Sequence, residues 1–152
     1  MKERLNGYKA SPDAYQAILS LQAYVNECGL DHSLMELVKI RASQINGCAY
    51  CLHMHTRDAR KAGESDERMH LLAAWRESPL FTERERAALA WTEALTLVSE
   101  TEAPDDIYEG LRPHFSEKEI VDLSTAIGTI NVWNRIAIGL RTIHPVSVKE
   151  AA

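Results

Sequence analysis

This 152-residue chain has 45% hydrophobic residues, 26% charged residues and little glycine or proline, which excludes a disordered or fibrous protein and is typical of a compact helical domain. Its 22 acidic residues outnumber its 17 lysines and arginines, and the net charge of −5 leaves no broad basic surface for the phosphates of nucleic acids. Residues 1–6 lack the apolar run of a signal peptide, and no stretch approaches the ~18 apolar residues of a membrane span, so we expect a cytoplasmic protein that binds neither nucleic acid nor membranes.

The first half of the chain is predicted to form four helices. Apolar residues at spacings of three and four, with glycine or proline after the runs, predict helices over residues 12–28, from about 33 to 46, from about 48 to 63 and from 65 to 75. Cys28 falls in the apolar stripe of the first helix, three residues after Val25. Because a buried free cysteine usually behaves as a small hydrophobic residue, we interpret Cys28 as part of the core.

Two capping boxes mark helix starts in the second half of the chain. Thr82–Glu85 predicts the start of one long helix, and Ser116–Glu119 predicts the start of the last one. Between them, Pro104 suits the first turn of a short helix. The sequence has no alternating pattern of the kind that strands show and no internal repeat. We therefore predict an all-α fold, with residues 1–152 as a single domain.

The last predicted helix carries apolar residues around its whole axis. Twelve apolar side chains lie between Ile120 and Leu140, and a helix that is apolar on all sides needs burial on all sides. A monomer of this size can hardly provide that burial, so we predict a homo-oligomer. Asn131, Asn134 and Arg135 interrupt the apolar surface and would need hydrogen-bond partners if they were buried between subunits.

Two cysteines open the predicted third helix. Cys48 and Cys51 lie in a Cys-Ala-Tyr-Cys stretch, and His55 follows Cys51 by four residues. The positive end of a helix dipole lowers thiol pKa values, and side chains three or four residues apart share one helix face. His55 can therefore take the proton of the Cys51 thiol and return it to a leaving oxygen, and Cys48 can resolve the resulting sulfenic acid as a disulfide.

The sequence leaves other interpretations of these residues open. Ser33–Glu36 has the pattern of a capping box, so Glu36 fits a helix cap as well as it fits chemistry. The cysteine pair and His55 are also possible zinc ligands, although a closed structural site needs four ligands and no second Cys/His cluster is present. His53 should lie on a different side of the helix and is interpreted as a solvated or packing residue. We expect no metal and no cofactor.

This constellation resembles the catalytic signature of the alkylhydroperoxidase D-like proteins, within the carboxymuconolactone decarboxylase superfamily. Glu36, eleven further residues and then Cys48-x-x-Cys51-x-x-x-His55 are similar to the full signature of that family. The helical plan from about residue 11 to 145 also fits it. The flanking segments that resemble the family are Arg41-x-Ser43-x-x-Asn46-Gly47, Asp58–Gly63 and Asn131–Arg135.

The resemblance implies a thiol peroxidase that reduces hydrogen peroxide or organic hydroperoxides. By that resemblance, Cys51 would be the peroxidatic residue and Cys48 the resolving one. His55 would be the base that activates Cys51, and Glu36 would complete the proton relay. The expected partners are a hydroperoxide, a dithiol reductant and other copies of the chain, as a trimer or a hexamer. Tyr50 stands where the best-known branch has a histidine, so the relay of that branch through this position does not carry over.

Two arguments from the sequence disagree about which sulfur is the nucleophile. The helix dipole favours Cys48 as the more acidic thiol because it is nearer the helix start, whereas His55 favours Cys51. A positioned base acts on one sulfur while the dipole acts on both, so we assign the nucleophile to Cys51.

Other functions also stay open: a decarboxylase or lactone-ring enzyme of the same superfamily would not depend on the cysteine pair, and a redox sensor or zinc module would not turn over hydroperoxide.

Overall fold

The computed structural model describes residues 2–146, and within this range the secondary structure is helical. The prediction of an all-α fold is confirmed. No helix in this range is both long enough and apolar enough to cross a bilayer. The helices are α1 (Gly7–Ala10), α2 (Pro12–Glu27), α3 (His32–Asn46), α4 (Ala49–Lys61), α5 (Asp66–Leu71), a 3₁₀ turn (Leu72–Ala74), α6 (Glu83–Thr96), α7 (Val98–Thr101), α8 (Asp105–Leu111) and α9 (Glu117–Leu140).

Helix α3 forms the centre of the fold. Every residue from Leu34 to Ile40 is buried, and the helix packs against α4, α6 and α9. A helix that is enclosed in this way cannot keep its polar side chains in water. Its two buried charged residues, Glu36 and Lys39, therefore need partners inside the protein.

Helix α9 is buried only in part by the rest of the chain. Ile127 and Ile130 belong to the core, whereas Val121, Val132 and Ile138 are between 38% and 64% exposed. The chain by itself thus leaves part of the apolar surface of α9 uncovered. The prediction of a homo-oligomer from the sequence depends on such an uncovered surface. Assembly itself stays a prediction.

The start of α3 differs from the sequence prediction. The carboxylate of Asp31 accepts a hydrogen bond of 2.9 Å from the backbone N–H of Leu34, so Asp31 caps the helix and the predicted capping box of Ser33–Glu36 is not formed. Asp31, two residues before Ser33, fulfils the same need of the unpaired N–H groups. Glu36 is consequently free for other contacts. The two other predicted boxes, at Thr82 and Ser116, are both present.

The prediction that Cys28 belongs to the core is wrong. Cys28 ends α2 and is only half-buried, and its thiol donates to the carbonyl of Val25 at 3.2 Å. Helix α2 packs chiefly on α9, and Val25 is its one fully buried residue. The apolar stripe of α2 is real, but apart from Val25 its residues are exposed or only partly buried.

Candidate active site

A tight turn between α3 and α4 positions the cysteine pair. Gly47 has a φ of +68°, a conformation that glycine adopts without steric cost. The backbone N–H of Gly47 donates to the carbonyl of Gln44, and that of Cys48 donates to the carbonyl of Ser43. These bonds close the end of α3 and make Cys48 the residue that caps α4. The thiol of Cys48 therefore stands at the positive end of a helix, as the sequence predicts.

The sulfurs of Cys48 and Cys51 lie 2.9 Å apart, and each residue is 1% exposed. The contact with the Cys51 thiol lowers the pKa of Cys48 to about 6, although burial opposes ionisation. The same contact, together with burial, raises the pKa of the Cys51 thiol well above its ordinary range. The pair therefore loses one proton easily and holds the second firmly, so it carries a single negative charge at neutral pH.

Glu36 and His55 form a buried pair beside the sulfurs. Nδ1 of His55 lies 2.9 Å from Oε2 of Glu36, and Nζ of Lys39 donates to Oε1 of the same carboxylate at 2.8 Å. Burial on its own would raise the pKa of Glu36, but the hydrogen bonds from His55 and Lys39, together with the positive charge of Lys39, outweigh it and lower the pKa to about 2. Glu36 is thus ionised at neutral pH and accepts the Nδ1 proton of His55.

A groove of about 630 Å³ opens onto this constellation. Cys51, His55, Glu36 and Lys39 line it, whereas Cys48 is not among the lining residues. The apolar and aromatic part of the wall comes from Tyr15, Leu19, Tyr50, Met54, Trp133 and Ile136. A molecule in the groove would therefore meet Cys51 before Cys48.

Trp133 forms a fixed part of the groove wall. Its indole N–H donates to Oε1 of Gln22 at 3.2 Å, and its ring lies 5.7 Å from the ring of Tyr15 in an edge-on arrangement. These contacts join α9 to α2 across the groove. They also give the wall a defined shape, because both aromatic rings are held by neighbours.

A chain of hydrogen-bonded asparagines lies behind the dithiol, and of these Asn131 and Asn134 are buried while Asn46 is partly buried. Nδ2 of Asn46 donates to Oδ1 of Asn131 at 3.0 Å and to Oδ1 of Asn134 at 2.8 Å. Nδ2 of Asn134 donates to Oγ of Ser43 at 3.0 Å, and Nδ2 of Asn131 donates to Oγ1 of Thr96 at 3.2 Å. The sequence predicts that these asparagines need hydrogen-bond partners if they are buried between subunits. They are instead satisfied within one chain.

The structure brings together all four predicted site residues, Glu36, Cys48, Cys51 and His55. Lys39 was not among the predicted site residues. A lysine three residues after Glu36 within an apolar run could have indicated a buried ion pair with that carboxylate. The interpretation of His53 as a solvated or packing residue is confirmed, because it stacks on His144 with ring centroids 4.7 Å apart.

The spacing of the two sulfurs bears on the zinc alternative. Two thiolates bound to one tetrahedral zinc ion lie about 3.7 Å apart, since each Zn–S bond is about 2.3 Å. The observed distance of 2.9 Å is shorter than that spacing. Within residues 2–146 no group of three or more His, Cys, Asp or Glu side chains is arranged to hold a metal ion.

Comparisons with known proteins agree with this architecture. Residues 12–94 match the model of the carboxymuconolactone decarboxylase family. The chain is 39% identical to the uncharacterized protein YdfG of Bacillus subtilis (strain 168), over 92% of this chain and 95% of YdfG. It is 52% identical, with a TM-score of 0.94, to the crystal structure of ATU0492 from Agrobacterium tumefaciens, a protein of unknown function described as a candidate antioxidant defence protein AhpD, over 96% of this chain and 100% of that one. An uncharacterized peroxidase-related protein from Silicibacter sp. TM1040 is 26% identical with a TM-score of 0.76, over 86% and 70% of the two chains.

Proposed function

Because the chain belongs to the carboxymuconolactone decarboxylase family, with an AhpD-like all-α fold, we propose that it is a thiol-dependent peroxidase. It would reduce hydrogen peroxide or organic hydroperoxides through a dithiol–disulfide cycle of Cys48 and Cys51. One observation carries this proposal: Cys51 lines the groove together with His55, and the sulfur of Cys48 lies 2.9 Å from that of Cys51. The nucleophile and the base thus line one groove, and the resolving thiol lies in contact with the nucleophile.

In the first step, the sulfur of Cys51 attacks one oxygen of the hydroperoxide. Nε2 of His55 accepts the thiol proton, because Nδ1 donates to the Glu36 carboxylate. The oxygen–oxygen bond breaks, and the departing alkoxide takes the proton from His55 and leaves as an alcohol. Cys51 is oxidised to a sulfenic acid.

In the second step, the thiolate of Cys48 attacks the sulfur of the sulfenic acid. The disulfide forms, and the departing hydroxide takes a proton from the solvent and leaves as water. The position of Cys48 at the N-terminal end of α4 suits this resolving role, since the positive end of the helix dipole favours its thiolate. Two electrons have then passed from the two sulfurs to the peroxide bond. An external dithiol restores the pair by exchange, and we expect the cycle to run in the cytoplasm.

This division of roles also resolves the disagreement between the helix dipole and the base. The dipole and the neighbouring thiol favour ionisation of Cys48, but of the two cysteines it is Cys51 that lines the groove. The more acidic sulfur can thus be the resolving one, and the sulfur beside His55 can be the peroxidatic one.

The proposal is tested by single-turnover peroxide consumption with matched serine variants. Cys51→Ser should abolish consumption, and Cys48→Ser should consume one equivalent and stop as a sulfenic acid on Cys51, identified by mass spectrometry after trapping with a dimedone reagent. Cys28→Ser is the control and should turn over like the wild type, since Cys28 lies at the end of α2 and outside the groove lining. A sulfenic acid on Cys48 in the Cys51→Ser protein would reverse the assigned roles.

The decarboxylase alternative predicts a different outcome. An enzyme that acts on a lactone ring or a carboxylate does not need two sulfurs in contact, so its activity would survive in both serine variants. Steady-state consumption of hydroperoxide with several dithiol donors separates the alternatives. No consumption with any donor would reject the peroxidase.

A further inference from the structure

We propose that the side-chain amide of Asn134 is the fixed donor that holds negative charge on the Cys48/Cys51 pair, and that Asn46 is a positioning residue which orients this amide. The inference rests on the proposed dithiol chemistry, because a fixed donor is useful only where the sulfurs work as thiolates. It does not depend on which substrate the thiolate attacks.

The first support is the location of Asn134. It is fully buried on α9, and its neighbours on the same helix face, Ile130 and Ala137, pack in one cluster with both cysteines. Side chains three and four residues apart share a helix face, so Asn134 faces the dithiol between these two neighbours. Asn134 itself is polar and completely buried, so its amide needs hydrogen-bond partners inside the protein.

The second support is the orientation of the amide. An asparagine side chain has an oxygen that accepts and a nitrogen that donates two hydrogen bonds. The oxygen of Asn134 already accepts from Nδ2 of Asn46 at 2.8 Å, and one N–H donates to Oγ of Ser43 at 3.0 Å. The second N–H of the Asn134 amide is not used by Ser43 and can serve the sulfurs. Asn46 thus fixes which end of the Asn134 amide is turned toward the dithiol.

The third support is the energetic need of the sulfurs. A thiolate that is 1% exposed has lost its water and is costly unless donors replace that water. The Asn134 side chain lowers the pKa of Cys48 and opposes the rise in the pKa of Cys51. A donor that is already fixed by Asn46 and Ser43 needs no reorganisation when the charge forms or moves between the two sulfurs.

The matched pair Asn134→Leu and Asn131→Leu tests the inference. Both substitutions remove a buried amide that accepts from Asn46, but Asn131 bonds to Thr96 on the side of α6, whereas Asn134 shares its helix face with Ile130 and Ala137. The thiolate of the reduced Cys28→Ser protein is titrated by its ultraviolet absorbance, without any peroxide. Asn134→Leu should raise the titration midpoint by about one pH unit, which is a tenfold weaker ionisation, and Asn131→Leu should leave it unchanged.

A second variant keeps the test decisive if Asn134→Leu does not fold. Asn46→Ala retains the Asn134 amide but no longer donates a hydrogen bond to its oxygen. The titration midpoint should therefore rise by less than in Asn134→Leu, which corresponds to a several-fold weaker ionisation. Equal midpoints in Asn134→Leu and Asn131→Leu, or an unchanged midpoint in Asn46→Ala, would overturn the inference. If the midpoint shifts as expected while the wild type consumes no peroxide, the inference stands and the proposed function fails.

Discussion

Nδ1 of His55 lies 2.9 Å from Oε2 of Glu36, so a carboxylate in the central helix α3 holds the imidazole that follows the cysteine pair in α4. The two residues are 19 positions apart in the chain, and both are buried. Because the ionised carboxylate accepts the Nδ1 proton, Nε2 is the nitrogen that can accept a further proton, which we propose comes from Cys51. The tautomer that a base needs is therefore set by a contact outside its own helix.

The first prediction concerns His55 as a base. His55→Ala should slow the first turnover with a hydroperoxide by about 10²-fold, because a positioned general base contributes at least that factor. The rate of sulfenic acid formation in the Cys48→Ser protein measures this step by itself. The matched control is His53→Ala, which removes an imidazole two residues away that stacks on His144 and should leave the rate unchanged. Equal rates in the two variants would remove His55 from the mechanism.

The second prediction concerns the stability of the buried charges. Glu36→Gln leaves the ammonium of Lys39 buried with no carboxylate partner, which should cost about 3 kcal/mol of unfolding free energy. The double variant Glu36→Gln/Lys39→Met removes the unpaired charge and should recover most of that loss. Urea unfolding of the wild type, the two single variants and the double variant measures the coupling. A double variant as unstable as Glu36→Gln would show that Lys39 is not the cause.

The third prediction concerns the pH dependence of stability in the reduced protein. The pKa of Cys48 is lowered from 9.0 to about 6, so between these values the folded protein binds one proton fewer than the unfolded chain. Stability should therefore rise with pH from about 6 to 9. The pKa of Cys51 is raised, so the folded protein keeps its second proton and stability should fall again above about pH 9.

Chemical unfolding of the reduced protein across this pH range checks the third prediction. Cys48→Ser is the matched variant, because it removes the contact between the sulfurs that separates the two pKa values. The rise between about pH 6 and 9 should disappear in this variant. A rise of the same size in both proteins would assign it to other groups.

Much of this architecture was predictable from local sequence patterns. The capping boxes at Thr82 and Ser116 and the turn at Gly47 depend on neighbouring residues, and all three were predicted in place. The spacing of the cysteine pair and His55 on one helix face is likewise a local property. Patterns of this kind can be read from the chain because the interacting groups lie within one or two helical turns.

The features that were missed or misjudged depend on contacts between distant segments. The hydrogen bond between Asn46 and Asn134 joins residues that are 88 positions apart in the chain. The hydrogen bond between Trp133 and Gln22 in the groove wall joins residues that are 111 positions apart. Cys28 was misjudged because the spacing of α2 indicates an apolar stripe but not what covers it. Asp31 caps α3 instead of Ser33 because the helix begins at His32. The spacing of residues in the sequence does not specify that starting point.

The fourth prediction concerns the groove as the substrate site. Ile136→Trp should fill part of the groove and lower kcat/KM for a bulky organic hydroperoxide by tenfold or more, while hydrogen peroxide, which needs little space, should react at an unchanged rate. The control is Ile138→Trp, two residues further along α9, because Ile138 is exposed and is not among the groove-lining residues. Equal losses for both peroxides in the Ile136→Trp protein would indicate damage to the dithiol instead of exclusion from the groove.

The last prediction is assembly, and it concerns the apolar side chains of α9 that the chain leaves uncovered. Val121 and Val132 are 64% and 38% exposed, and their separation of eleven residues places them on one side of the helix. Monomers seldom leave such a face in water, so another copy of the chain should cover it, in a closed trimer or hexamer.

Light scattering at micromolar concentration should report several times 17.1 kDa, and Val132→Glu should lower that mass because it buries a charge in the contact. Tyr108→Glu is the control, since Tyr108 is equally exposed but belongs to α8. A wild-type mass of one chain would contradict the prediction, and an equal mass in the wild type and Val132→Glu would exclude this face as the contact.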